Sequence, residues 1–185
     1  MSTIKRQRSK LFSNVLIRPD ALKSEYWWDY EDILKIKVMP TFGLCNSLFN
    51  VLNSEEIKAL SIVTNMRSEQ CDICGSVSAH KKMDEWWFFD EEPIQQILVR
   101  TLSLCDLCYK CTRYYANKDM QWDLDQHFMI VNNWNDVELK NYLYDTKKNA
   151  KLGLDKWKWE LDLSWLDYII VLSDATKAQI QRLNK

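Results

Sequence analysis

The chain has 185 residues, 46% of them hydrophobic and 28% charged, and a formal net charge of −1. This length suits one substantial domain, with or without an extension. The nine Trp, eight Tyr and six Phe exclude a disordered chain, and the near-neutral charge excludes a uniformly basic nucleic-acid coat.

The first 40 residues form a basic and aromatic extension ahead of a domain that we place at residues 41–185. Basic side chains dominate the first 23 residues, and acidic side chains dominate residues 24–35. Aromatic residues at 26–28 and at 30 are too apolar for a solvated tail, so we expect them to pack on the domain or on a partner. This N-terminal region lacks the apolar stretch of a secretory signal.

The domain reads as alternating helices and strands with few glycines or prolines between them. Irregular chain is expected over 40–52, and Asn53 ahead of two glutamates predicts a helix start. The later elements follow from periodicity, breaks and caps. They are an aromatic-rich stretch over 82–90 that suits a hairpin, and an apolar run over 94–104 after a break at 91–93. Helices are expected over 55–66, 106–117, 123–132 and 136–151, followed by a strand over 156–163, a helical region capped by Ser164, and a further segment starting at Ser173.

Four cysteines have the spacing of a metal site. Cys71 and Cys74, followed by Gly75, make one C-x-x-C pair, and Cys105 and Cys108 make the second, thirty residues later. Four thiolates around a tetrahedral ion match structural zinc, with one pair on a knuckle, the other at a helix start and a hairpin between them. Gly75 would relieve the strain of the tight turn.

The compartment supports this interpretation of the cysteines. The longest purely apolar run, at 168–172, is far shorter than the ~20 residues of a membrane helix, so we expect a cytoplasmic protein with no membrane partner. Reducing conditions disfavour disulfides. An iron–sulfur ligand set including Cys111 and a thiol redox pair remain as alternatives, although the ferredoxin spacing is incomplete and no activating histidine is near. We read Cys45 and Cys111 as buried small hydrophobes.

Short matches to one family core run through residues 41–167. They are Cys71-x-x-Cys74-Gly75, Trp87-x-x-Asp90, Gln96-x-Leu98, Leu104-Cys105-x-x-Cys108, Val131-Asn132-x-Trp134 and Trp159-x-Leu161-Asp162. In this order and spacing they resemble a group of bacterial HNH-endonuclease-like proteins. The resemblance implies an α+β fold with a treble-clef zinc core, surrounding helices and a small antiparallel sheet.

The same resemblance indicates that the nuclease residues are missing. HNH chemistry uses a histidine base on the hairpin and a divalent ion held partly from the following helix. Those histidine positions fall on Asp84, Tyr109 and Arg113. Tyrosine is a poor Mg²⁺ ligand and arginine repels the ion. We therefore expect no catalytic residues and no enzyme activity, with structural Zn²⁺ as the cofactor, and we read His80 and His127 as histidines on solvated faces.

Three functions are compatible with these residues. The first is a non-catalytic, zinc-scaffolded interaction or regulatory protein with a protein partner, of the kind that phages and mobile elements direct at a host. The second is a nucleic-acid-binding module that uses basic side chains, which a salt titration would distinguish. The basic residues are Lys5, Arg6, Arg8, Lys10, Arg18, Lys23, Lys110 and Arg113. The third is a divergent metal-dependent nuclease that uses Asp84, His80 and Asp90.

Overall fold

The structure, a computed structural model, describes residues 47–67, 69–91, 94–149 and 159–185. The extension over residues 1–40, with its aromatic cluster, and Cys45 lie outside the described residues. The helices and strands are α1 Leu48–Val51, α2 Ser54–Met66, β1 Lys82–Glu91, β2 Ile94–Leu104, α3 Asp106–Thr112, α4 Gln121–Asn132, α5 Asp136–Asn149, β3 Glu160–Asp162 and α6 Asp174–Leu183. The fold class is α+β, as predicted.

The predicted start of α2 is confirmed. The Asn53 side chain accepts from the backbone N–H groups of Glu55 and Glu56, and the Glu56 carboxylate accepts from the Asn53 N–H in return. This reciprocal capping box satisfies orphan donors at the helix start. Just before it, the chain is less irregular than expected, because Ser47 caps the short helix α1.

The sheet corrects one expectation. A hairpin is present but is longer than the predicted 82–90, because β1 and β2 pair antiparallel over 82–104 with a register shift between Trp86 and Trp87. β3 pairs in parallel with β2 over three residues. The three-stranded sheet, in the order β1-β2-β3, is therefore mixed rather than antiparallel. A parallel neighbour requires a long crossover, and here α3, α4 and α5 lie between the two strands in sequence.

The helices after the hairpin agree with the sequence pattern except at their ends. α3 ends at Thr112, five residues earlier than expected, and a short 3-10 helix, Tyr114–Ala116, follows it. α4 begins at Gln121 and ends at Asn132, and its C-cap residue, Asn133, has a φ of 54°. An asparagine tolerates this left-handed conformation better than most residues, so it can close the helix.

The C-terminal region is partly as predicted. Residues 156–158 of the expected strand lie outside the described part, but 159–163 keep the alternation, with Trp159, Leu161 and Leu163 buried. Ser164 does not cap the helical region as expected: its N–H donates to Asp162, and no side chain caps the 3-10 helix Ser164–Tyr168. Ser173 does cap α6.

Two buried clusters make up the core. One packs α1, α2 and α6 against the sheet and the 3-10 helix Ser164–Tyr168. The other lies between the end of β2 and helices α3, α4 and α5, and it includes Leu104, Leu124 and Phe128. Its buried cysteines are Cys71, Cys105, Cys108 and Cys111, and the partly buried Cys74 packs against it. The cysteine site is thus part of the second core. None of the described helices has the length and apolar character needed to cross a membrane.

Candidate metal centre and the neighbouring ion pair

The first cysteine pair lies on a tight knuckle that is tied to β2. Gly75 has a φ of +69°, a conformation that favours glycine, and its N–H donates to the Cys71 carbonyl at 3.0 Å. Asp72 donates its N–H to the Ser103 carbonyl at 2.9 Å and accepts the Ser103 N–H on its side chain at 2.7 Å. This two-way contact holds the knuckle beside the end of β2, where the second pair begins.

The second pair lies at the start of α3. Cys105 follows β2 directly and is the N-cap residue of the helix, with its Sγ 3.4 Å from the Cys108 backbone nitrogen. Cys108 stands in the first turn, so both sulfurs face the knuckle. A thiolate here also lies at the positive end of the backbone dipoles.

The four sulfurs are close enough to share one ion. The Sγ atoms of Cys71, Cys74, Cys105 and Cys108 all lie within 4.8 Å of one another, and those of Cys74 and Cys105 are 3.7 Å apart. Thiolates at about 2.3 Å from a tetrahedral ion are about 3.8 Å from each other. The donor chemistry and the spacing therefore both fit, and these residues could hold a metal ion. All five cysteines of the described part are free of disulfides.

Neighbouring groups shift the pKa values of three of these cysteine thiols in opposite directions. A hydrogen bond from the Cys108 thiol lowers the pKa of Cys71 to about 4. The same hydrogen bond, followed by burial, raises the pKa of Cys108, and burial raises the pKa of Cys105. Cys71 thus accommodates a thiolate readily, whereas Cys105 and Cys108 resist the negative charge that a divalent cation would compensate.

His127 lies beside this cluster, contrary to our expectation of a solvated face. Its Nε2 is 3.1 Å from the Cys108 Sγ, and burial lowers the pKa of the imidazole. The residue comes from α4, nineteen positions after Cys108. Its position between Leu124 and Phe128 in the helical repeat was the signal available in the sequence, because these residues point α4 towards the core. His80, in contrast, is exposed in the loop before β1, as predicted.

Cys111 is buried and separate from the four. Its Sγ is 3.8 Å from the Leu124 carbonyl oxygen, and burial raises the pKa of the thiol to about 12. It is absent from the group of mutually close ligand atoms. The expectation of a small buried hydrophobe is confirmed, and the iron–sulfur alternative loses its third cysteine.

Asp84, Tyr109 and Arg113, which the sequence resemblance grouped together, do meet in space. The Arg113 guanidinium donates to both oxygens of the Asp84 carboxylate, each at 3.0 Å, and lies 3.8 Å above the Tyr109 ring. Asp84 is fully buried and also accepts from Thr112 Oγ1 at 2.8 Å and from the Glu85 N–H at 2.9 Å. Four donors thus occupy the carboxylate.

The neighbouring lysines are also paired. Lys82 and Lys110 contact the two oxygens of Asp106 at 2.7 and 2.6 Å. These contacts, that of Lys110 first, lower the pKa of Asp106. Lys82 Nζ also lies 4.9 Å from the centre of the Tyr109 ring. Two lysines thus share one carboxylate, so a single net positive charge remains on this face.

Asp90 lies far from Asp84 on the same strand. A strand rises about 3.3 Å per residue, so roughly 20 Å separates the two positions along β1. Side chains at that distance do not bind one ion.

Comparison with family models, with curated proteins and with solved structures finds no match. The HNH resemblance stays a prediction from the sequence.

Proposed function

We propose that the domain is a zinc-stabilised, non-catalytic interaction module that regulates a protein partner. Zinc is the ion that four cysteine thiolates favour, and a closed set of four leaves no position for substrate. Zinc here has the role of joining the knuckle, the end of β2 and α3.

The observation that carries the non-catalytic assignment is the Asp84–Arg113 ion pair. If the HNH resemblance holds, this pair occupies the place of the nuclease base and metal. A carboxylate that already accepts four hydrogen bonds has no free lone pair for Mg²⁺, and the guanidinium adds a permanent positive charge. Asp90 lies too far along β1 to complete a site with Asp84.

The charges favour a protein partner over nucleic acid. Arg113 is paired with Asp84, and Lys110 shares Asp106 with Lys82, so these side chains offer a single net positive charge, which attracts a phosphate backbone only weakly. The surface also exposes large apolar side chains, among them Trp122 at 73% and Ile130 at 76%. Such side chains suit apolar contacts better than phosphate contacts.

The test combines cleavage, binding and capture with the full chain. We expect no cutting of single- or double-stranded DNA or RNA in Mg²⁺ or Mn²⁺. Cleavage that Asp84→Ala abolishes and Asp123→Ala, an exposed control on α4, preserves would overturn the proposal. Binding to nucleic acid that weakens steeply between about 50 and 200 mM salt would shift the function to the nucleic-acid module.

Capture from lysate addresses the partner. A discrete protein that is retained after nuclease treatment, and that binds the purified chain directly, supports the interaction module. Loss of all bound material on nuclease treatment contradicts it.

A further inference from the structure

We propose that His127 donates its Nε2–H to the Cys108 thiolate and thereby slows release of the metal ion, as a positioning residue that is not a ligand. The inference rests on the metal binding proposed above. It assigns a role to the one histidine that the structure places against the cysteine cluster.

The geometry holds the imidazole in place. His127 is on the face of α4 that carries Leu124 and Phe128, both fully buried in the core with Cys108 and Cys111. Nε2 is 3.1 Å from the Cys108 Sγ. Because Leu124 and Phe128 anchor the same helical turn, the backbone of His127 is held beside Cys108, within reach of the sulfur.

The charge of the site gives this contact its effect. One divalent ion with four thiolates has a net charge of about −2, which N–H donors around the sulfurs must offset. Cys105 accepts such a hydrogen bond from the backbone N–H of Cys108, within its own helix start. The donor to Cys108 is different in kind, because it is a side chain from a distant helix.

Burial makes this donor hard to replace. Cys108 is fully buried while the half-buried imidazole lies against its sulfur, so an apolar side chain in place of the ring would cover the sulfur without donating to it. A buried acceptor that loses its partner forfeits the hydrogen bond outright. Cys74, by contrast, is partly exposed and lies 3.1 Å from Ser76 Oγ.

A ligand role is disfavoured by the positions of the atoms. The four cysteine sulfurs all lie within 4.8 Å of one another, and His127 is not part of that group. Four thiolates already fill a tetrahedral shell.

The test compares three variants of the full, zinc-loaded chain. His127→Leu removes the donor, His127→Gln keeps an N–H of similar reach, and His80→Leu changes the exposed histidine as a control. We expect zinc transfer to a chelator to be roughly tenfold faster in His127→Leu, from the usual effect of losing such an outer contact. His127→Gln should recover much of the difference, and His80→Leu should match the unaltered chain.

A second measurement needs no variant. In the chain loaded with ¹¹³Cd, scalar coupling between cadmium and the His127 Hε2 proton should be visible through the N–H···S hydrogen bond. Equal release rates in all variants, or coupling that shows direct imidazole ligation, would overturn the role of His127. Absence of bound metal from the unaltered chain would instead refute the metal proposal.

Discussion

Replacing Arg113 by Met should destabilise the fold, and a second replacement at Asp84 should restore part of the loss. Arg113→Met removes two of the four hydrogen bonds described above for the fully buried Asp84 carboxylate. Those from Thr112 and from the Glu85 N–H remain. Breaking a buried ion pair typically costs 3–5 kcal/mol. The Arg113 side chain is 31% exposed, so solvent already weakens the pair and we expect about 3 kcal/mol.

The restoration follows from the hydrogen bonds that remain. In Asp84→Asn/Arg113→Met the buried group is neutral, and its oxygen can still accept the Glu85 N–H. Thr112 Oγ1 is 2.9 Å from the Tyr109 carbonyl oxygen, so it can donate there while accepting from the new amide. The double variant should therefore be about 1–2 kcal/mol more stable than Arg113→Met alone, because no unpaired charge stays buried.

Urea unfolding followed by tryptophan fluorescence, at a fixed free zinc concentration, measures these differences. Lys177→Met is the matched control, since it breaks an exposed pair with Asp174 at 3.8 Å and should leave the midpoint unchanged. A double variant that is no more stable than Arg113→Met alone would refute the claim that Asp84 is held as a buried, charge-compensated group.

Two further pairs of variants test other parts of the structure. Cys74→Ser should reduce bound metal and lower the melting temperature, whereas Cys111→Ala should keep the metal, as measured by elemental analysis and calorimetry; equal metal loss in both would contradict the assigned ligand set. Glu56→Ala should destabilise the chain by about 3 kcal/mol in urea unfolding, because this buried carboxylate accepts from Asn53 and Ser173 N–H groups and from Thr176 Oγ1 and so joins α2 to α6. The exposed Glu55→Ala is its control, and a similar loss there would contradict that role.

Local signals in the sequence predicted most elements and all four proposed ligands. The Asn53 cap, the Ser173 cap and the two C-x-x-C pairs each depend on residues a few positions apart, and the structure confirms those elements and brings the four sulfurs together. Asp84, Tyr109 and Arg113 also contact one another, although the sequence singled them out through a resemblance and not through a local pattern.

The predictions that were wrong involve contacts between segments that are distant in the sequence. β3 joins β2 in parallel after three intervening helices, and no short-range pattern reports the direction of such a pairing. His127 approaches Cys108 because α4 packs on α3. The sequence could indicate that His127 lies on the buried face of α4, but not that Cys108 would be its partner. The early end of α3 reflects Arg113, whose φ of −113° and ψ of 36° depart from the helix as its side chain pairs with Asp84.

The most direct test of the metal centre is native mass spectrometry of the purified chain with elemental analysis, followed by thermal unfolding with and without a chelator. We expect one zinc ion per chain and a large, zinc-reversible fall in melting temperature on chelation. A chain that carries no metal, or that melts unchanged after its metal is removed, would contradict the proposal that the four cysteines organise this fold around zinc.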